Sequence, residues 1–343
     1  MEAKTVELQN EICTVAFHKT GGALVQFQLQ QNKINPFNFY WKEGLKGKTD
    51  VFFWGHFLCL GRWGDPSVGE ASKGHIKHGD FNRLQWETKI NGNQLLMSAQ
   101  SGLEGLQIER EVILDSTAAV MQVNETVHNV LPVGRLYNMM QHPTLSAPFL
   151  DDTTLINCNA ASGFDYAFDT YDEKVFGSWP ELRTKDGKNI NLVNPQRAYS
   201  SVFPFLVKES DDWGWITAYS PTNNLLLGYV WKRTDYPWIA HWLHFENEKL
   251  TYRGLEFGTT GLHKPIQSIW EEGLLHLLQQ PTCLYLDADK KEQRSYTCFQ
   301  INVPNGFEGV EGVQLTNKAI TIIEKGSKGK TDVFYQLPIN HEI

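Results

Sequence analysis

Along most of this chain the residue pattern repeats every two positions, and almost nowhere every three or four. Gln107 to Leu114 reads QIEREVIL, Val120 to Val130 reads VMQVNETVHNV, and Leu226 to Arg233 is of the same kind. Successive side chains on a strand point to opposite faces, so this period builds sheets, whereas an amphipathic helix needs apolar residues three and four apart. The segments are rich in Val, Ile, Thr and aromatics and end in Gly, Pro, Asn or Asp. Turn signals fall at short intervals: Asn91-Gly92-Asn93, Leu131-Pro132, Asp186-Gly187-Lys188 and Pro221-Thr222-Asn223-Asn224. The best helical stretch, Ile266 to Leu278, is interrupted by Gly273. The expectation is an all-β fold, a large antiparallel sandwich with few short helices.

No Pro/Ser tract, charge block or low-complexity segment divides the 343 residues, so one domain over 1–343 is expected. A chain of this size buries roughly three quarters of its unfolded surface and needs no disulfide or metal to fold. The heptapeptide KGKTDVF occurs at Lys46 to Phe52 and again at Lys328 to Phe334, which reads as two similar hairpin corners. The formal charge of −8 and the absence of any basic run argue against a nucleic-acid or anionic-membrane partner. The five cysteines are widely spaced, without a Cys-x-x-Cys pair, which fits buried thiols in a reducing compartment. Residues Met1 to Gln9 carry no signal-peptide pattern, and the longest apolar run, Leu225 to Trp231, has seven residues against the ~20 of a membrane span. A soluble cytoplasmic protein is expected.

Motifs for metal, nucleotide and acyl chemistry are missing: no His-Glu-x-x-His, no phosphate loop, no Gly-x-Ser-x-Gly. No cofactor is expected. Three polar positions framed by aromatics stand out instead. The first is His78-Gly79-Asp80-Phe81-Asn82-Arg83-Leu84-Gln85-Trp86, and the second is Gln141-His142-Pro143-Thr144-Leu145. The third is Tyr236-Pro237-Trp238-Ile239-Ala240-His241-Trp242, followed by Gly254-Leu255-Glu256-Phe257-Gly258. Glu256 stands among apolar residues and glycines, where burial would raise its pKa from ~4.3 and make it a better base.

In this order and spacing, the motifs resemble those of the aldose 1-epimerase (galactose mutarotase-like) superfamily, over about Phe53 to Phe299. His78 to Trp86 is similar to that family's His-Gly box, and Val127 to His142 to the segment before its acid histidine. Tyr236 to Trp242 followed by Glu256 is similar to its aromatic strand and base glutamate. The resemblance implies a galactose mutarotase-like β-supersandwich with a sugar cleft, and the interconversion of α and β anomers of a monosaccharide. An acid and a base act from opposite sides of the anomeric centre. His142 takes the place of the acid, Glu256 that of the base, and His78 that of a helper near the ring oxygen.

This sequence also departs from the family pattern. Phe53-Trp54-Gly55 stands where sugar-phosphate members carry Arg-Gly-Gly, and Asn82 where they carry an arginine, with Arg83 one step on. One step along a strand reverses the face, which speaks against a phosphorylated hexose. Arg62 and Arg83 remain candidates for holding a hydroxyl or carboxylate, Trp242 for stacking on the sugar, and Asp235 or Asp165 for gripping hydroxyls. The bland alternatives are a turn histidine at 78, a strand cap at 142, a Glu256 paired with Arg253 or Lys264, and a structural salt bridge at Arg62. The rival functions are a non-catalytic sugar-binding protein on the same scaffold and a glycan-cleaving enzyme.

Overall fold

The computed structural model describes residues 4–43, 51–172, 174–316, 318–327 and 329–334. Two large antiparallel sheets dominate, one of thirteen strands and one of eight. The helices among the described residues are short: Val68–Ser72 and Ile266–Glu271 are the α-helices, beside a few 3-10 turns. The period-two segments fold as read, with strands Leu106–Leu114, Val120–Asn129 and Leu225–Lys232. The helical stretch at 266 stops early. Gly273 turns left-handed at φ 69°, and the chain passes into the small hairpin His276–Leu277 with Gln280–Pro281.

The middle of the larger sheet runs His56–Gly61, Arg135–Leu145, Lys249–Gly258, Trp238–Glu246 and Ser201–Val207, each antiparallel to the next. One face of these strands meets the eight-stranded sheet. Leu58, Leu60, Met139, Leu255, Phe257 and Ile239 pack there against Ile108, Val123, Leu227, Tyr229 and Trp231. Burying this apolar area is the main source of stability. The outer face of the eight-stranded sheet is covered as well, by the hairpin strands Val310–Leu315 and Ala319–Glu324, through Val120, Leu226, Phe299, Val313 and Ile320. Central strands are therefore buried on both faces, and His56–Gly61 has no exposed residue.

Several polar groups inside this sandwich satisfy one another. Gln141 donates to Glu125 at 2.6 Å, His56 lies 3.1 Å from the Gln141 oxygen, and Arg110 donates to Glu125 at 2.7 Å. A buried network is stabilising only when its members are paired in this way. All five cysteines are free and buried. Among the described residues no helix is long and apolar enough to cross a membrane. Of the repeated heptapeptide, Lys46 to Asp50 and Lys328 lie outside the described residues. Val51–Trp54 and Lys330–Phe334 are return strands, paired with Tyr40–Glu43 and Ala319–Glu324.

Candidate active site

Alternation along the central strands presents Phe57, Cys59, Met140, His142, Thr144, Glu256, Ala240 and Trp242 on the face turned away from the sandwich interior. Phe39, Val51, Phe53 and Trp63 pack with several of them into a second apolar cluster. A cavity of about 390 Å³ opens in this surface, lined by His78, His142, Glu256, Trp242, Trp63, Lys77 and His263 among others. That volume is within the ~300–1,000 Å³ of small-molecule sites.

His142 and Glu256 meet here. The register of their strands pairs Gln141 with Phe257 and Thr144 with Gly254, so His142 stands directly across from Glu256. The ladder is interrupted only at His142 and Pro143, where proline has no N–H to give. His142 Nε2 lies 3.3 Å from Glu256 Oε2. Its Nδ1 is 3.0 Å from the Thr144 hydroxyl, and its ring stacks on Phe57, its partner on the other neighbouring strand, with centroids 4.2 Å apart. A proton on Nδ1 donated to Thr144 leaves the Nε2 lone pair facing the carboxyl. Trp63 Nε1 donates to Glu256 Oε2 at 2.8 Å. Gly254 keeps the space open, because a Cβ there would stand 2.9 Å from both Glu256 Oε1 and the Trp242 Cβ.

Burial sets the charges. Glu256 is 1% and His142 5% exposed. Desolvation pushes the Glu256 carboxyl well above the usual carboxylate range, against the Trp63 hydrogen bond and the nearby Lys77 charge. Desolvation, aided by His263, His56 and Lys77, holds His142 well below the usual imidazole range. Both groups are driven toward their uncharged forms, which places one proton on the pair at neutral pH.

His78 reaches the cavity through strained backbone, with φ 63° at His78 and 83° at Gly79. Glycine is required at 79, since a Cβ would lie 2.0 Å from the Leu60 carbonyl oxygen. The His78 ring stands edge-on to His142 at 5.5 Å, with Cys59 Sγ 3.4 Å from its Nδ1. Burial first, then His263, His142 and Lys77, keep it uncharged. Trp242 lies edge-on to His142, with centroids 5.9 Å apart.

Four candidates from the sequence fall outside this cavity. Arg62 is turned to the other side, where it pairs with Glu104 at 3.1 Å and Glu70 at 2.8 Å. Its neighbour Trp63 is the residue that reaches Glu256: one step along the chain separates a structural ion pair from the site. Arg83 is tied to Asp80, itself held by Ser101 at 2.7 Å, and so clamps the turn behind His78. Asp235 accepts from the Ser295 backbone at 3.2 Å, in a separate hollow beside Lys232 and Arg294. Asp165 is fully buried and accepts from Tyr199, Ser201 and the backbone of Ala167 and Lys185. The two residues expected to act as acid and base, His142 and Glu256, are brought into direct contact by strand register.

His263, Lys77 and Trp63 line the cavity and were not singled out from sequence. His263 follows the Glu256 strand and sits edge-on to Trp63 at 5.1 Å and to His78 at 5.5 Å. Burial and then Lys77 push its pKa down to about 3. The one sequence signal for Lys77 was its place beside the His-Gly pair. Among the described residues no group of three or more His, Cys, Asp or Glu is arranged to hold a metal ion.

Neither a protein-family model nor a curated protein matches the chain in sequence. Solved structures do match in shape. The Slr1438 protein from Synechocystis sp. PCC 6803 aligns with a TM-score of 0.61 at 11% identity, over 88% of this chain and 97% of its own. A galactose mutarotase related enzyme from Lactobacillus acidophilus gives 0.59 at 9% identity, over 87% and 98%. A galactose mutarotase-like protein from Clostridium acetobutylicum gives 0.59 at 12%, over 87% and 95%. At such identities the likeness speaks for architecture: the chain has the galactose mutarotase-like fold.

Proposed function

We propose that this protein is an aldose 1-epimerase-like isomerase that exchanges the α and β anomers of a monosaccharide. The observation that carries the reading is the 3.3 Å contact between His142 Nε2 and Glu256 Oε2 at the wall of a ring-sized, aromatic-lined cavity. Mutarotation acts on two oxygens bonded to one carbon, the C1 hydroxyl and the ring oxygen. Donor and acceptor must therefore converge on one point, as two side chains in contact can. One member of the pair takes the hydroxyl proton while the other gives its proton to the ring oxygen. The C1–ring-oxygen bond breaks, the carbonyl forms, and the pair still holds one proton. Rotation about C1–C2 and the reverse transfers close the other anomer.

Burial supports the same reading, since it keeps the pair singly protonated over a wide pH span and strengthens the proton transfers. His78 stands beside His142 to hydrogen-bond the sugar, and Trp242 offers a face for stacking. The five free thiols favour a cytoplasmic setting. The test is NMR saturation transfer between α and β anomeric signals across neutral hexoses, pentoses and sugar acids. Wild-type protein should speed exchange for at least one sugar, and Glu256→Gln should bind that sugar without speeding exchange. Binding with an unaltered exchange rate would make the chain a sugar-binding protein instead.

A further inference from the structure

The charges around the cavity carry information about its ligand. Of the two lysines that line it, Lys42 has a partner of its own, whereas Lys77 makes no ion pair or hydrogen bond among the described residues. Lys77 is only partly exposed and close enough to act electrostatically on Glu256, His142 and His263. Those three groups give it no counter-charge, because burial favours their uncharged forms, and Glu43, the other carboxyl of the lining, makes no ion pair with it. Glu256 is in any case occupied by Trp63 and His142. Among the described residues the cavity thus presents one ammonium without an ion pair to whatever enters.

A neutral sugar filling this space would strip water from that ammonium and leave it without an anion, an unfavourable arrangement. The rest of the lining points the same way. Besides its histidines, its lysines and the carboxyls of Glu43 and Glu256 it is aromatic or aliphatic, and among its described residues there is no Asp, Asn, Gln, Ser, Thr or Arg side chain to add to them. A single ammonium is a point charge suited to one carboxylate; a phosphate dianion calls for several donors or an arginine fork. Arg62 and Arg83 are both engaged elsewhere.

We propose that the sugar bound here carries a carboxylate, as an aldohexuronate does, and that Lys77 pairs with it. This rests on the reading of the cavity as a monosaccharide site and adds the substrate class. The alternative role for Lys77, tuning Glu256, would treat charged and neutral sugars alike, which makes the two separable.

The experiment is calorimetric or saturation-transfer binding of matched ligands: glucose, glucuronate and glucose 6-phosphate, then galactose and galacturonate. It is run on wild type, Glu256→Gln, Lys77→Gln and Lys77→Arg, with exchange rates recorded alongside. At least one uronate should bind about tenfold or more tightly than its neutral partner, as one charge-assisted hydrogen bond provides. The ratio should collapse in Lys77→Gln and persist in Lys77→Arg, which also shows that the site still folds. Equal binding within both pairs, no uronate binding, tighter binding of the 6-phosphate, or a ratio unchanged in Lys77→Gln would each overturn the proposal. Charge-selective binding without anomer exchange would leave it standing and sink the isomerase reading; exchange confined to neutral sugars would do the reverse.

Discussion

His142 and Glu256 are cross-strand partners, and their contact is a consequence of register. The pairings Met140 with Gly258 and Thr144 with Gly254 fix it from both sides. A slip of one residue would turn one of the two side chains into the sandwich interior. The site is thus as rigid as the sheet that carries it, and the following outcomes depend on that rigidity.

Glu256→Gln should separate activity from stability. Trp63 and His142 meet the same carboxyl oxygen, so the amide keeps one of the two contacts, accepting from Trp63 with its oxygen or donating to an uncharged His142 Nε2 with its nitrogen. Exchange should fall by ~10²–10⁴ because the carboxyl proton is gone. Stability should move the other way. The folded carboxyl titrates above its unfolded value, so as pH rises past ~4.5 the unfolded chain gains charge that the folded chain resists, which penalises folding at pH 7. Removing the group removes that penalty. Chemical denaturation at pH 7 should show a higher midpoint for the variant; a lower one would contradict a buried, uncharged Glu256.

Trp63→Phe deletes one hydrogen bond to the Glu256 carboxyl and little volume. That bond favours the charged form, so its loss should raise the carboxyl pKa further. The alkaline limb of the exchange rate should shift to higher pH in the variant, with a rate loss of about tenfold at neutrality. A pH profile that superimposes on wild type would show that the indole does not act on Glu256.

Two glycines should fail differently when replaced by alanine. At Gly254 a Cβ meets Glu256 Oε1 and the Trp242 Cβ at 2.9 Å, so the His142–Glu256 pair is displaced while the strand survives. Exchange should drop at least tenfold for a stability loss of only ~1–2 kcal/mol. At Gly79 the Cβ would fall 2.0 Å from the Leu60 carbonyl at φ 83°, so the backbone itself must move. The cost there should reach ~3 kcal/mol or more, read by urea unfolding.

Acid should unfold the protein early. His56 is held at about 3 by burial and Arg110, while burial with Arg253 depresses His241, and burial with His263, His142 and Lys77 depresses His78. Each folded pKa lies below the unfolded ~6.5, so their stabilising effect is complete above 6.5 and is lost as pH falls, for His56 down to about 3. While all three stay neutral in the fold they remove up to ~4 kcal/mol per pH unit below 6.5, against a total of ~5–15 kcal/mol for a typical domain. Thermal unfolding should therefore weaken steeply from pH 6.5 downward. A melting temperature constant to pH 4.5 would be inconsistent with these buried neutral imidazoles.

Sheet alternation, the turn glycines and the His-Gly pair were legible in the sequence because they answer to local rules. Period two assigns faces, and Gly79 is needed wherever the chain turns left-handed against a neighbour. His78, His142, Glu256 and Trp242 stood out as polar and aromatic positions in short motifs and took their expected roles from the family resemblance; the structure places all four at the cavity. Arg62 and Arg83 misled because a basic residue beside a motif looks alike whether it faces a ligand or a carboxylate. Only the fold reveals Glu104 and Asp80 as their partners. Asp235 was drawn in by its nearness to Tyr236 and Trp242 along the chain, but the turn carries it to another hollow.

The amino-acid sequence by itself determined that the chain would be a twisted pile of antiparallel strands, because alternation and turn chemistry act over a few residues at a time. The tertiary structure decided which side chains touch. It set His142 against Glu256, put Trp63 rather than Arg62 at the carboxyl, and left Lys77 without an ion pair among the described residues. Contacts between distant strands depend on register, and no local pattern encodes that.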